Sequence, residues 1–130
     1  MGISYEIASD IKKKVEDLAV NLFPHVRLES LSCIRSFGSS SRGTVARCHS
    51  LGKAMQLGMG IKRGFYVIEV ISKKFDKLSE REKIKILIHE LMHIPKSFGG
   101  GFRHHDYVCE KNVEREYQRY INLKLVKGIE

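Results

Sequence analysis

Two histidines separated by one helical turn are the residues of this sequence best suited to chemistry. The segment His89-Glu90-Leu91-Met92-His93 places histidines at positions i and i+4, and such residues share one face of a helix, so both imidazoles can reach one metal ion. Glu90 is rotated by about 100° from that row, which leaves its carboxylate free to take a proton from a metal-bound water. The spacing predicts a hydrolytic site with one Zn²⁺ per chain, in which Glu90 is the catalytic base.

A hydrolytic zinc site needs a third protein ligand and one open position. His104 and His105 are the candidates, because the glycine-rich segment 95–103 lets the chain turn back toward the first two histidines. Asp106 is placed to cap the following helix while the imidazole of His105 points into the site. The residues alone leave the choice between His104 and His105 open. We expect both His25 and His49 to be surface or packed residues.

The HExxH motif lies on a helix whose start is well marked. Ser79 and Glu82 have the spacing of a capping box. An apolar stripe follows at helical intervals, and Pro95 marks the end; the stripe comprises Ile84, Leu87, Ile88 and Leu91. The pattern therefore predicts that both histidines lie near the carboxyl end of one amphipathic helix.

The remaining elements suggest one small domain spanning residues 1–130. Periodicity predicts a helix over residues 7–22, strands within 26–37, 44–51 and 65–71, an edge strand or loop at 52–62, and a final helix from about Asp106 to Leu125. This order predicts an α+β fold: an N-terminal helix, a three- to four-stranded mixed sheet, and the HExxH helix and long C-terminal helix on one face of the sheet.

Two longer segments resemble a known family. The runs HELMHIPKSFGGGFRHHDY and FYVIEVISKKFDKLSEREK resemble the small zincin-like metallopeptidases of archaea and their viruses, over residues 34–107. More distantly, they are similar to the SprT-like metalloproteases. The resemblance implies a minimal zincin-like domain that hydrolyses a peptide or protein substrate. It favours His105 as the third ligand, since several relatives place that ligand in a His-Asp pair. It also implies a substrate extended along a sheet edge, beside 65–71 or 53–59.

Two other interpretations compete with a peptidase. The YbeY-like endoribonucleases also carry two histidines on a helix and a third nearby, but their motif has glycine where Glu90 stands and a shorter gap to the third histidine. Alternatively, a zinc ion here ties the helices together in a non-catalytic module that binds nucleic acid or a partner; such a site normally has four protein ligands. Arg103, His104 and Tyr107 are candidates for stabilising an oxyanion, and Glu69 for a supporting carboxylate or an edge-facing charge.

Composition restricts the class of protein without choosing a substrate. The net charge of +8 permits nucleic-acid binding but does not establish it. The odd count of three cysteines argues against a disulfide framework. No apolar run is long enough to span a membrane, and the first residues lack the apolar region of a signal peptide. We therefore expect a cytoplasmic protein without a membrane partner; the sequence does not predict an oligomeric state.

Overall fold

The computed structural model describes residues 2–39 and 41–129, and its helices and strands form an α+β fold. In chain order the elements are β1 (Ser4–Ile7), α1 (Ser9–Leu22), β2 (Leu31–Phe37), β3 (Ala46–Ser50), α2 (Lys53–Met59), β4 (Tyr66–Ile71), α3 (Ser72–Phe75), α4 (Glu80–Met92) and α5 (Glu110–Ile129). The expected N-terminal helix, the HExxH helix and the long final helix are all present, as α1, α4 and α5. None of the described helices is both long enough and apolar enough to cross a membrane.

The sheet has four strands in the order β1-β2-β4-β3 and is mixed, as predicted. The central pair β2 and β4 is parallel, with Cys33 opposite Ile68. The two outer strands run antiparallel to their neighbours, and Cys48 of β3 lies opposite Ile68 on the other side. Strand β4 is therefore paired along both sides, and β3 forms one edge of the sheet.

The hydrophobic core lies between one face of the sheet and three helices. Helices α1, α4 and α5 contact one another, while α1 contacts β2 and α4 contacts β3. The alternation of β4 explains this arrangement, because Tyr66, Ile68 and Val70 share one face and are all fully buried. Leu87 and Ile88 of α4 are also fully buried against this layer, which fixes the rotation of the helix that carries the motif.

The start of α4 matches the sequence prediction. Ser79 Oγ accepts a hydrogen bond from the backbone N–H of Glu82 at 3.2 Å, and the Ser79 N–H donates to Glu82 Oε1 at 3.4 Å. Such a reciprocal pair satisfies two of the unpaired donors at a helix N-terminus. The motif helix therefore begins at a fixed residue and keeps its histidines in register with the core.

Three predicted elements are wrong in type or in bounds. Segment 52–62 contains a helix, α2, rather than an edge strand or loop, and Gly60 ends it with φ of 73°. Its alternating apolar residues point to solvent, since Leu57 is 84% exposed, and within the helix only Gln56 is buried. The first strand, β1, precedes α1 and includes Ile7, which the sequence pattern had assigned to a helix over residues 7–22. The final helix begins at Glu110 because the chain at Asp106 is still turning, with the N–H of Val108 donating to the His104 carbonyl at 2.9 Å.

Candidate metal centre

The first two histidines of the motif lie at the carboxyl end of α4. His89 is in its last turn, and His93 directly follows its final residue. Their ring centroids are 5.0 Å apart, at an angle of 74° between the planes. Both side chains are half-buried, so the helix presents two imidazoles side by side at the protein surface.

The chain after α4 turns back to His93, where Arg103 makes two hydrogen bonds with it. The backbone N–H of Arg103 donates to the His93 carbonyl at 2.7 Å, and the Arg103 carbonyl accepts from Nδ1 of the His93 ring at 2.8 Å. His105 follows two residues later, and its ring centroid lies 5.1 Å from that of His93 and 5.8 Å from that of His89. The contact between residues 93 and 103 therefore brings the third histidine to the other two.

The loop that makes this return is anchored by Tyr66 of the central strand. The Tyr66 hydroxyl donates to the Gly101 carbonyl at 2.7 Å and accepts from the Gly100 N–H at 2.9 Å. Gly100 has φ of 105°, a conformation that favours glycine. Gly64 also approaches closely, because a Cβ there would lie 2.3 Å from the Phe98 carbonyl oxygen. The two glycines thus permit close contacts that a side chain at either position would block.

His89, His93 and His105 form the only group of three metal-ligating side chains found among the described residues. One ring nitrogen from each lies within 4.8 Å of the other two. His104 lines the adjoining pocket but is outside this group. The other two histidines are engaged elsewhere: His25 with the Ile94 carbonyl, and His49 with Glu69.

The electrostatic environment favours the neutral form of His89 and His93. Burial, together with the neighbouring imidazoles of His93 and His105, lowers the pKa of His89 to about 4. Burial also lowers the pKa of His93, and His105 and His104 add to the effect, against the hydrogen bond to Arg103. Because a carbonyl oxygen can only accept, Nδ1 of His93 carries the proton and Nε2 is left with its lone pair. Neutral imidazoles are the form in which histidine binds a metal.

Glu90 lies beside this cluster in a pocket of about 260 Å³. Its side chain is 7% exposed, and Oε2 lies 4.0 Å from Nε2 of His89. Burial raises the pKa of Glu90 to about 7. The pocket is lined by Cys48, Glu90, His93, Phe102, Arg103, His104 and His105. A carboxylate that gains and loses a proton near neutral pH therefore faces the same space as the histidines.

Strand β3 forms the other side of the site. A cleft of about 480 Å³ runs between residues 43–46 and α4, and its lining includes Ile86, His89 and His105. The outer side of β3 is unpaired within residues 2–39 and 41–129. Neither segment expected to lie beside a substrate offers such an edge: residues 65–71 are paired on both sides by β2 and β3, and residues 53–59 are helical.

Two residues that line the site were not predicted. Cys48 had the pattern of a small buried hydrophobe, and Phe102 belongs to a loop without periodicity. Among the weaker candidates, Arg103 lies with its guanidinium 3.4 Å from the centroid of the Tyr107 ring. Glu69 is on the outer face of the sheet, where it accepts a hydrogen bond from His49 at 2.7 Å and one from Arg47 at 3.3 Å.

Comparison with known proteins agrees with the geometry of the site. No curated protein and no solved structure matches the chain significantly. A family model described as "Putative phage metallopeptidase" matches residues 3–128, which is nearly the whole chain and includes the HExxH helix, the loop and the three clustered histidines. The chain belongs to this metallopeptidase family.

Proposed function

We propose that this protein is a zinc-dependent peptidase in which His89, His93 and His105 hold the metal and Glu90 is the catalytic base. The observation that carries the proposal is the convergence of the three imidazoles, with ring nitrogens within 4.8 Å of one another. The resemblance of the His-Asp pair at 105–106 supports the same third ligand. His104 lies outside the cluster, which favours His105 between the two.

The donor set fits zinc. Three histidine side chains can provide the protein ligands of a catalytic zinc site, in which the fourth tetrahedral position is open to water or substrate. Within the described chain no fourth ligating side chain joins the cluster, so a position is left for water or substrate. When bound there, zinc would supply Lewis acidity, which polarises a peptide carbonyl and lowers the pKa of water.

Residue 103 acts on the metal site through His93. Its carbonyl accepts the Nδ1 proton of His93 at 2.8 Å and thereby directs the Nε2 lone pair toward the cluster. Outer partners of this kind set the tautomer and the ring orientation of a metal-binding histidine. This contact involves only the backbone of Arg103, so it survives substitution of the side chain.

Glu90 is suited to moving one proton in each direction. Its raised pKa of about 7 matches the range in which a general acid–base group is most effective at neutral pH. As the carboxylate it takes the proton of the attacking water, and as the acid it gives that proton to the departing amine. Burial on α4 keeps bulk water from competing for the same proton.

The free side of β3 is where we place the peptide. An extended substrate can add to an exposed strand edge through backbone hydrogen bonds, and the cleft between residues 43–46 and α4 lies beside that edge. A groove of about 800 Å³ continues from His89 between α4 and α5, and its floor includes Val45, Ile86 and Val113. A scissile bond in the cleft would thus have space beside it for an apolar side chain.

The alternatives explain fewer of these features. A structural zinc site would require a fourth protein ligand, and His104, the nearest candidate, is not part of the cluster. The YbeY-like interpretation leaves no role for a buried carboxylate beside the histidines. The peptidase proposal accounts for both the three-ligand geometry and Glu90.

The test is Glu90→Gln, which removes the base while keeping the size of the side chain. We expect bound zinc to be retained and hydrolysis of a mixed fluorogenic peptide library to fall by at least about 100-fold, the usual contribution of a general base. Glu6→Gln is the control, because Glu6 is exposed on β1 at the opposite edge of the sheet. Hydrolysis that survives in Glu90→Gln would refute the mechanism.

A further inference from the structure

A second pocket, of about 320 Å³, lies between α2, the loop at 62–64 and residues 97–99. It shares no lining residue with the pocket that holds Glu90 and His93. Four cationic side chains line it, from three parts of the chain: Arg27, Lys53, and the adjacent Lys62 and Arg63. We refer to it as the cationic pocket, and the metal centre gives it no role.

The walls of the cationic pocket are held in place by hydrogen bonds. Gln56, which is 5% exposed, donates from its side-chain nitrogen to the Leu51 carbonyl at 2.7 Å and the Gly99 carbonyl at 2.9 Å. The Gly64 N–H donates to the Phe98 carbonyl at 3.2 Å. These contacts tie α2 and the loop at 62–64 to the segment after α4. The positions from which Lys53, Lys62 and Arg63 extend are therefore fixed by the fold.

Among residues 2–39 and 41–129, no acidic residue lines the cationic pocket. Within the described residues, none of the four cations takes part in an ion pair. By contrast, Arg35 and Lys85 elsewhere on the surface pair with carboxylates. Like charges that converge on a concave surface repel one another, and a bound polyanion would remove that repulsion.

Phosphate is the anion that this pocket fits best. Arg27 and Arg63 each offer several N–H donors in a planar fork, which matches the oxygens of a phosphate. One carboxylate would be satisfied by a single guanidinium, whereas four cations call for several anionic groups in sequence. The backbone of a nucleic acid supplies them at regular intervals, and the net charge of +8 attracts such a partner.

We propose that the cationic pocket binds consecutive phosphates of a nucleic acid and does not read base sequence. The one aromatic side chain that lines the pocket, Phe98, is 2% exposed, so it offers no surface on which a base can stack. The pocket therefore holds the backbone alone. The inference is independent of the peptidase proposal, because it concerns residues outside the metal centre.

The salt dependence of binding tests this proposal quantitatively. If all four cations contact phosphates, raising KCl from about 50 to 200 mM should weaken binding about 50-fold for a single strand and about 150-fold for a duplex. Lys62→Gln/Arg63→Gln should reduce these factors to about 7 and 12, since two contacts remain. The measurement is fluorescence anisotropy of labelled 20-nucleotide and 20-base-pair DNA of mixed sequence.

A matched control separates the pocket from overall charge. Lys13→Gln/Lys73→Gln removes the same charge from exposed residues on α1 and α3, and it should keep the wild-type salt dependence. Equal effects of the two double variants, or no DNA binding at 50 mM KCl, would overturn the proposal.

Other anionic partners give different results. If polyglutamate displaced the labelled DNA as well as unlabelled DNA does, the pocket would be assigned to acidic protein segments instead. Pocket-dependent binding to phosphatidylglycerol vesicles without DNA binding would assign it to a membrane surface, beside the exposed Met55, Leu57 and Met59. Either result would also overturn it.

Discussion

Removing the hydroxyl group of Tyr66 should loosen the loop that carries His105. Tyr66 is fully buried, and its hydroxyl makes two hydrogen bonds, to the Gly101 carbonyl and from the Gly100 N–H. Phenylalanine keeps the ring and its packing but leaves both backbone groups without this partner. At about 0.5–1.5 kcal/mol for each bond, Tyr66→Phe should lower the free energy of unfolding by about 1–3 kcal/mol.

The same change should weaken metal binding. Partners that orient metal-binding residues typically account for about 10–100-fold in metal affinity, and Tyr66 acts through the loop rather than on an imidazole directly. We therefore expect a loss near the lower end, about 10-fold. Urea unfolding would give the stability, and competition with a chromophoric chelator would give the zinc affinity.

Tyr120→Phe is the matched control for this experiment. The Tyr120 hydroxyl donates to a carboxylate oxygen of Asp17, between α5 and α1 and away from the loop. This variant should also lose stability, yet bind zinc as the wild type does. If Tyr66→Phe bound zinc with unchanged affinity, the claim that the central strand positions the third histidine would be refuted.

Two further substitutions test other parts of the structure. Gly64→Ala would place a Cβ 2.3 Å from the Phe98 carbonyl oxygen, so the loop must shift. We expect the free energy of unfolding in urea to fall by about 1–3 kcal/mol. An unchanged midpoint of urea unfolding would contradict the close approach. Burial raises the pKa of Glu69, but the neighbouring Ser36 hydroxyl, the hydrogen bond from His49 and the charge of Arg47 together outweigh burial and lower the pKa overall. Since the folded pKa is below the unfolded one, this stabilisation is present above the unfolded pKa and is lost as the pH falls through the folded value. Glu69→Gln should therefore lose less stability than the wild type as the pH falls below about 4.5, the ordinary pKa of the carboxyl group. Parallel loss in both proteins would contradict the assignment.

Much of the site could be predicted because its signals are local. The capping box and the apolar stripe of α4 are both encoded within a few residues of the HExxH motif, and the structure confirms the helix. His105 was favoured by resemblance, but its approach depends on the hydrogen bonds between His93 and residue 103. A contact of that kind across a loop leaves no periodic pattern in a sequence.

The failures of prediction also have physical causes. The alternation of Met55, Leu57 and Met59 suggested a strand, but these side chains are exposed, so the pattern does not record burial. Helix α2 is instead held through the buried amide of Gln56, a polar contact that hydropathy does not detect. The position of Cys48 in the wall of the pocket could not be predicted, because it depends on β3 being the edge strand beside α4.

The most direct test of the metal centre is the zinc content of three proteins prepared side by side: wild type, His105→Ala and His104→Ala. Elemental analysis should find about one zinc per chain in the wild type and in His104→Ala, and a large loss in His105→Ala. His104→Ala is the natural control, since it alters the neighbouring histidine without touching the cluster. A wild-type protein without bound metal after zinc is offered, or a His105→Ala variant that retains its zinc, would contradict the three-histidine site.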